Sequence, residues 1–385
     1  MKVLVLGGGM MGRAIAYDLN RSSHFDQILI GDKNSQIRRL VTRFFKGTKI
    51  KVIPLDAERT HEVKKHLQKV DIAVSALPYQ YNYRIAKLSI VSHTHLVDLG
   101  GNYIIVKNER RLFSKAKMNK VTIIPDSGLG PGLTSIITHD IVNHFDTIDF
   151  VKIRVGGLPR YPQPPLNYQI VFSPYGLINE YVDDAMVLDH GKIVFKKSMS
   201  ELETLKFPEP FGILEAFLTS GGCSTLPITY QKTIKYLDYK TIRYPGHCDK
   251  IKAILEIGFA DEKKIDCGGK MIVPRDVFAS LLVTHVPTSG EDVVLLKVSS
   301  QGMKKGKRRS REYILIDHYD KKNNMTAMMR TTGYPASITV QMIENGTIKE
   351  HGVFCPEEII PPKPFFEWLK KRDIILSIRE KNVLP

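Results

Sequence analysis

Two groups of residues in this 385-residue chain have the types and spacing to do chemistry. The first is Gly7-Gly-Gly-Met-Met-Gly12, which follows the apolar run Val3-Leu-Val-Leu6 and leads into Arg13-Ala-Ile-Ala-Tyr-Asp-Leu19. In a strand, turn and helix of this kind Gly7 makes the tight turn and Gly9 lets backbone approach a pyrophosphate. Gly12 lets the helix pack closely on the strand, and the helix start, with Met10 and Met11, offers unpaired N–H groups to phosphate. A second apolar strand ends at Asp32, about twenty residues after Gly12, where a carboxylate accepts from an adenosine ribose and repels a 2′-phosphate. The set reads as a dinucleotide cradle that favours NAD; Lys33, Arg38 and Arg39 nearby keep NADP open.

The second group is Asp126, Thr241, Arg243 and His247. His247 follows Pro245-Gly246, which places it at an exposed turn, and imidazole changes charge near neutral pH, so it is the leading candidate for proton transfer. A purely structural histidine is the alternative. Asp126 precedes Gly128 and Gly130 at the end of a strand; it holds the substrate amine or the base, or else it caps the helix that follows. Arg243 is suited to bidentate binding of a carboxylate, or to a surface ion pair, and Thr241 shares its strand face. Ala76, Leu77 and Pro78 follow the strand opposite the glycine loop and should border the nicotinamide ribose, with Gly128 adding to the cofactor contacts. Tyr79 and Tyr168 are pocket candidates, and Ser224 and Thr225 lie in a glycine-rich turn able to close over substrate. His93 and His95 read as strand-edge residues, and no metal is expected.

Positioning these groups requires a regular scaffold. Short apolar strands at 1–6, 27–30, 50–53, 71–75, 95–98 and 122–124 alternate with helical segments, the pattern of a parallel sheet covered on both faces. A helix is expected over 133–144, one over 107–118, and one over 325–344 broken near Gly333-Tyr-Pro335. Strand signals dominate from 151 to 317. The expected fold is therefore α/β: a Rossmann-type doubly wound domain over 1–127, completed by helices of 325–385, and an α+β domain over 128–324 for substrate binding and dimerisation.

Lysine and arginine outnumber acids 56 to 40, a net charge of +16, which raises nucleic acid or an acidic substrate as partners. The densest run, Lys304 to Arg311, lies between two strand-like segments and lacks aromatics that would stack on bases, so it reads as a solvated hairpin tip and nucleic acid is not expected. A dinucleotide-binding regulator without catalysis, gripping polyanions there, is the alternative. Four cysteines without paired spacing, no signal sequence and no spanning segment point to a reduced, cytoplasmic protein with no membrane partner.

At Ala76-Leu-Pro-Tyr79, Asp126-Ser-Gly-Leu-Gly-Pro-Gly132, Thr241-Ile-Arg-Tyr-Pro-Gly-His247 and Arg330-Thr-Thr-Gly-Tyr-Pro335 the chain resembles the saccharopine dehydrogenase-like family. Through Glu215 to Pro227 and His351 to Glu357 it looks most like the lysine 6-dehydrogenases of that family. The resemblance implies NAD-dependent oxidation of the side-chain amine of L-lysine to 2-aminoadipate 6-semialdehyde, which cyclises to piperideine-6-carboxylate as ammonia leaves. It also implies a homodimer or homotetramer. Saccharopine reductases of the family carry an Asn-Arg element where this chain reads Thr219-Ser-Gly-Gly222, which removes the partner of a second carboxylate. Saccharopine-type and carboxynorspermidine-type enzymes using NAD(P)H are the neighbouring alternatives.

Overall fold

The structure, a computed structural model, describes residues 1–383. The chain divides into two compact units: unit 1 comprises residues 1–143, 224–226 and 329–374, and unit 2 residues 144–223, 227–328 and the chain from Ile375. The first boundary thus falls some sixteen residues beyond the expected one at 127, because the helix over 133–144 packs with unit 1.

Unit 1 opens with β1 (Lys2–Leu6), α1 (Met10–Asn20), β2 (Gln27–Asp32), α2 (Ser35–Phe44), β3 (Ile50–Pro54) and α3 (Thr60–Leu67). It continues with β4 (Ile72–Ser75), α4 (Asn82–Val91), β5 (His95–Asp98), α5 (Tyr103–Arg110), α6 (Phe113–Met118), β6 (Thr122–Ile124) and α7 (Leu133–His144). The expected helix over 107–118 is two helices and starts earlier, where the Asn102 side chain accepts from the N–H groups of Ile104 and Ile105. Strands β1 to β6 are parallel, and β4 and β6 are buried throughout, as apolar runs covered on both faces must be.

Unit 2 contains β7 (Thr147–Pro159), α8 (Pro174–Val182), β8 (Ala185–Asp189), β9 (Lys192–Lys196), β10 (Glu203–Lys206), β11 (Ile213–Leu218), α9 (Leu226–Thr229) in part, β12 (Ile234–Arg243) and α10 (His247–Glu256). Then follow β13 (Ile265–Cys267), β14 (Lys270–Ile272), α11 (Pro274–His285), β15 (Asp292–Lys304) and β16 (Lys307–His318). The chain completes unit 1 with α12 (Ala327–Glu344), β17 (Gly352–Val353), α13 (Pro356–Ile359) and α14 (Pro362–Lys370), and ends with β18 (Ser377–Asn382). Among the described residues the unit 1 sheet has seven strands in the order β17-β6-β5-β4-β1-β2-β3, and the unit 2 sheet has nine, with β10-β11-β12-β7-β15-β16-β18 as its main path. Within it β12 and β7 are parallel and the other pairs antiparallel, so the sheet is mixed. Segment 375–383, expected to complete the first domain, instead adds β18 to the edge of β16.

Helix α12 runs unbroken through Gly333 and Pro335, contrary to expectation. The reason is packing: a Cβ on Gly333 would lie 2.7 Å from that of Ala14, so α12 meets α1 where neither carries bulk. Buried Asp18 fastens the same junction, accepting from Ser337 Oγ at 2.7 Å, Gln341 Nε2 at 3.1 Å and Arg372 Nε at 2.8 Å. The basic run forms the tip of the β15–β16 hairpin, where Arg308 pairs with Asp149 at 2.8 Å and Arg309 with Glu380 at 2.7 Å. No helix among the described residues is long and apolar enough to cross a membrane.

Replacing Asp18 by alanine strands the Arg372 guanidinium in a buried position, for which losses of about 3–5 kcal/mol are typical. A chemical-denaturation midpoint unchanged in Asp18→Ala would contradict this account of how α12 is held.

Candidate functional site

In unit 1 the glycines behave as their spacing requires. Gly7 adopts φ +99°, and a Cβ on it would lie 2.8 Å from the Ala76 carbonyl oxygen. A Cβ on Gly12 would lie 1.9 Å from the Gly7 carbonyl oxygen, whereas one on Gly9 meets no atom within 4 Å. Gly9 is the N-cap of α1 and offers no side-chain cap to the first N–H groups, so the start of the helix beside Met10 and Met11 is built to receive an anion. Asp32 accepts from Gly8 N–H at 2.8 Å through Oδ2 and from Asn34 N–H at 2.7 Å through Oδ1. Its carboxylate holds the loop and keeps lone pairs for ribose hydroxyls. Arg38 donates to the carbonyls of Asp32 and Lys33, and Lys33 lies 3.6 Å from Glu58. These residues fit a nicotinamide dinucleotide: the loop and α1 for its pyrophosphate, Asp32 for its adenosine ribose. Ala76 adjoins the loop, its N–H donating to Leu6 O at 2.8 Å, and Leu77 and Pro78 continue from it.

The carboxyl ends of β5 and β6 carry buried acids. Asp126 has φ +58° and accepts from Gly101 N–H at 3.3 Å and from the Ser224 hydroxyl. It does not cap α7, whose first N–H, on Leu133, instead reaches the Gly128 carbonyl at 2.9 Å. Gly128 thus shapes the turn into that helix. Burial pushes the Asp126 carboxyl up to about 8; its bond to Ser224 opposes this, and Asp98 and Glu357 add to it. Ser224 and Thr225, expected as a mobile closure, are buried; Thr225 donates to Glu357 at 2.7 Å.

In unit 2 the alternation of β12 puts Tyr239, Thr241 and Arg243 on one face. Arg243 is 2% exposed, so the surface ion pair is not realised. Its guanidinium lies 4.7 Å from the Tyr168 ring centre, and its Nε donates to Tyr181 Oη at 3.0 Å. Thr241 shares a hydrogen bond of 2.8 Å with Thr219. His247 is not at an exposed turn: it is 1% exposed because Glu215, on β11, accepts from Gly246 and Cys248 N–H at 2.9 and 2.7 Å and draws the start of α10 into the core. Its Nδ1 meets Leu166 O at 3.0 Å and its Nε2 meets Tyr181 Oη at 3.1 Å. Burial, aided by Arg243, pushes the imidazole down to about 3. A histidine buried in its neutral form is poorly suited to the proton transfer expected of it. It orients Tyr181, which orients Arg243.

Sequence reasoning missed Glu180, on α8. Burial raises its carboxyl to about 7, with Arg243 opposing, a value suited to taking a proton near neutral pH. A single acid on a helix leaves no spacing signal. Among the described residues no group of three or more histidine, cysteine or acidic side chains is placed to hold a metal ion.

A glycine turn between strand and helix on a parallel sheet, with an acid at the end of the next strand, defines a dinucleotide-binding fold. The chain belongs to the saccharopine dehydrogenase family: residues 3–124 match its "Saccharopine dehydrogenase NADP binding domain" and residues 128–375 its "Saccharopine dehydrogenase C-terminal domain". It is 20% identical to saccharopine dehydrogenase (NADP(+), L-glutamate-forming) of Saccharomyces cerevisiae over 99% of each chain, and 21% identical to carboxyaminopropylagmatine dehydrogenase of Synechocystis over 94% of each. Alpha-aminoadipic semialdehyde synthase of Rattus norvegicus is 21% identical over 98% of this chain and 47% of its own, so the chain spans about half the length of that relative. The apo structure of the yeast saccharopine dehydrogenase superposes with a TM-score of 0.80 at 20% identity, covering 99% of each chain, which is the same fold.

The two glycines give contrasting tests. Gly9→Ala has room and should keep the melting temperature while weakening dinucleotide binding measured by calorimetry. Gly12→Ala must move backbone and should cost on the order of 1–3 kcal/mol or more of stability as well. Equal effects of the two on stability would contradict the cradle.

Proposed function

We propose that the chain oxidises the ε-amine of L-lysine, producing 2-aminoadipate 6-semialdehyde, which cyclises to piperideine-6-carboxylate, with release of ammonia. NAD is the proposed coenzyme, supported by the Asp32 carboxylate at the loop. The observation that carries the substrate reading is the isolation of Arg243. Unit 2 buries three cations strongly: Arg154, Lys240 and Arg243. Arg154 is paired with Glu203 and Asp238, and Lys240 with Glu203 at 2.9 Å. Among the described residues no carboxylate forms an ion pair with Arg243, which is thus left with one seat for one substrate carboxylate. A second carboxylate, as in saccharopine, gains no such partner from Thr219-Ser220-Gly221-Gly222. At Gly222 a Cβ would lie 2.4 Å from the Tyr239 ring, so position 222 admits no side chain.

In this reading Arg243 binds the α-carboxylate, and Thr241 and Thr219 line its strand face. The lysine ammonium, with an ordinary pKa of about 10.4, must lose a proton before hydride can leave its carbon. Glu180 takes that proton, its carboxyl being raised toward neutrality by burial, and Asp126, raised further and so protonated, gives a proton to the departing amine. The oxidised nicotinamide ring supplies the hydride acceptor when bound. Water then adds to the iminium carbon as ammonia departs, so two electrons leave as hydride and one oxygen enters from water.

The test is coenzyme reduction with L-lysine against reduction with saccharopine, each with NAD and with NADP. Turnover of lysine is expected; turnover of saccharopine alone overturns the proposal. Arg243→Met should raise KM for lysine by about 10- to 100-fold, the worth of a hydrogen-bonded charge contact, while coenzyme affinity holds.

A further inference from the structure

The carboxyl edge of the unit 1 sheet holds a second pair of acids that the proposed reaction does not use. Asp98 ends β5 and is fully buried. Its Oδ1 accepts from Asn82 Nδ2 at 2.9 Å and from Gly100 N–H at 2.7 Å, and Asn82 Oδ1 in turn accepts from Ser75 Oγ at 2.8 Å. Its Oδ2 is buried without an N–H or hydroxyl donor. Glu109, on α5, is equally buried, and neither of its oxygens meets such a donor. The two carboxyls interact side chain to side chain, each feeling the other's charge, and the backbone N–H of Asp126 interacts with Asp98.

Among the described residues no cation forms an ion pair with either acid. Arg110, next to Glu109 in sequence, donates to Glu358 at 2.6 and 2.8 Å and to Cys355 Sγ at 3.2 Å. Around the pair stand Asn82 from α4, Ser75 from β4, the amides of the Gly100–Gly101 turn, and Asp126, which itself faces Ser224 and Glu357. Two bare carboxylates in contact in a dry site repel strongly, whereas a carboxylic acid donating to a carboxylate forms a strong, charge-assisted hydrogen bond. A shared proton supplies the donor that both orphaned side chains lack.

We infer that Asp98 and Glu109 hold one proton between their facing carboxyls, and that the single negative charge they retain keeps Asp126 protonated. Both are positioning residues that act on Asp126 through space and through its backbone N–H. The role of Asp126 in moving a proton rests on the proposed function; the shared proton does not.

Three readouts test this. Infrared spectra of the wild-type protein near neutral pH should show the deuterium-sensitive carbonyl stretch of buried carboxylic acids, and Glu109→Gln should lose one such band. The folded pair binds a proton that unfolded carboxylates release above their ordinary range of about 4, so stability is fullest at low pH and falls as pH rises toward the folded values. The fall in melting temperature between about pH 5 and pH 7 should be shallower in Glu109→Gln by the equivalent of one proton. In the pH profile of kcat/KM, Glu109→Gln should leave the midpoint in place, because Asp98 keeps the charge. The double variant Asp98→Asn/Glu109→Gln should move it to lower pH by about one unit.

A wild-type spectrum without the band, a band untouched by Glu109→Gln, or a double variant with an unmoved profile would overturn the inference. Should Glu109→Gln fail to fold, the wild-type spectrum decides alone. A protein that keeps the band yet ignores lysine refutes the proposed function and leaves the shared proton standing.

Discussion

The nucleotide-binding unit depends on one close approach of backbone to backbone. Helix α1 lies so near the Gly7 carbonyl that a single methyl at position 12 would sit 1.9 Å from it. Because that approach is possible, the helix start is brought against the loop, and the empty space at Gly9 is open to a ligand's phosphates. Asp32 then closes the loop through Gly8, and Ala76 backs it from the next strand. None of these contacts is strong by itself. They are compatible only when the strand and helix are this close, which is why glycine is required at Gly12 for packing and at Gly7 for its positive φ.

Buried charge is treated in two ways. Arg154 and Lys240 are neutralised inside unit 2 by Glu203 and Asp238, and Asp18 in unit 1 by Arg372. Such pairs orient elements and are satisfied without a ligand. Arg243, Glu180, Asp98, Glu109 and Asp126 lack a matching ion pair, and burial pushes the acids among them toward their neutral forms. Leaving charge unmatched costs stability, and that cost is concentrated at the carboxyl ends of β5 and β6 and on the arginine face of β12, the places the proposed reaction uses.

Much of the nucleotide unit was legible in the sequence because its signals are local. Apolar runs of four or five residues, glycines at fixed offsets and an acid at the end of β2 each report on a few neighbouring residues. The limits of α7 were read correctly for the same reason. The two-residue strand β17 had no periodicity to read, and α12 was expected to break because the role of Gly333 is to admit Ala14, more than three hundred residues away in sequence. That Arg243 and Thr241 share a strand face was legible from alternation, but the burial of His247 was not, since it follows from Glu215 on another strand capping the helix start. Glu180, Asp98 and Glu109 were invisible for a related reason: an acid's role here depends on which counter-charges are missing around it, and spacing along a chain does not encode an absence.

The composition of unit 1 from three separate stretches of chain bears on how the protein is made. The six strands β1 to β6 are made before Ser224 and Thr225, which satisfy Asp126 and Glu357 and follow about a hundred residues later, and before Arg372, which neutralises Asp18 and follows later still. Until then the nascent sheet carries an unfilled seam along α1 and an uncompensated acid within it. Synthesis at roughly 5–20 residues per second makes that a wait of many seconds, during which the nucleotide unit is held together by β1 to β6 and their helices alone.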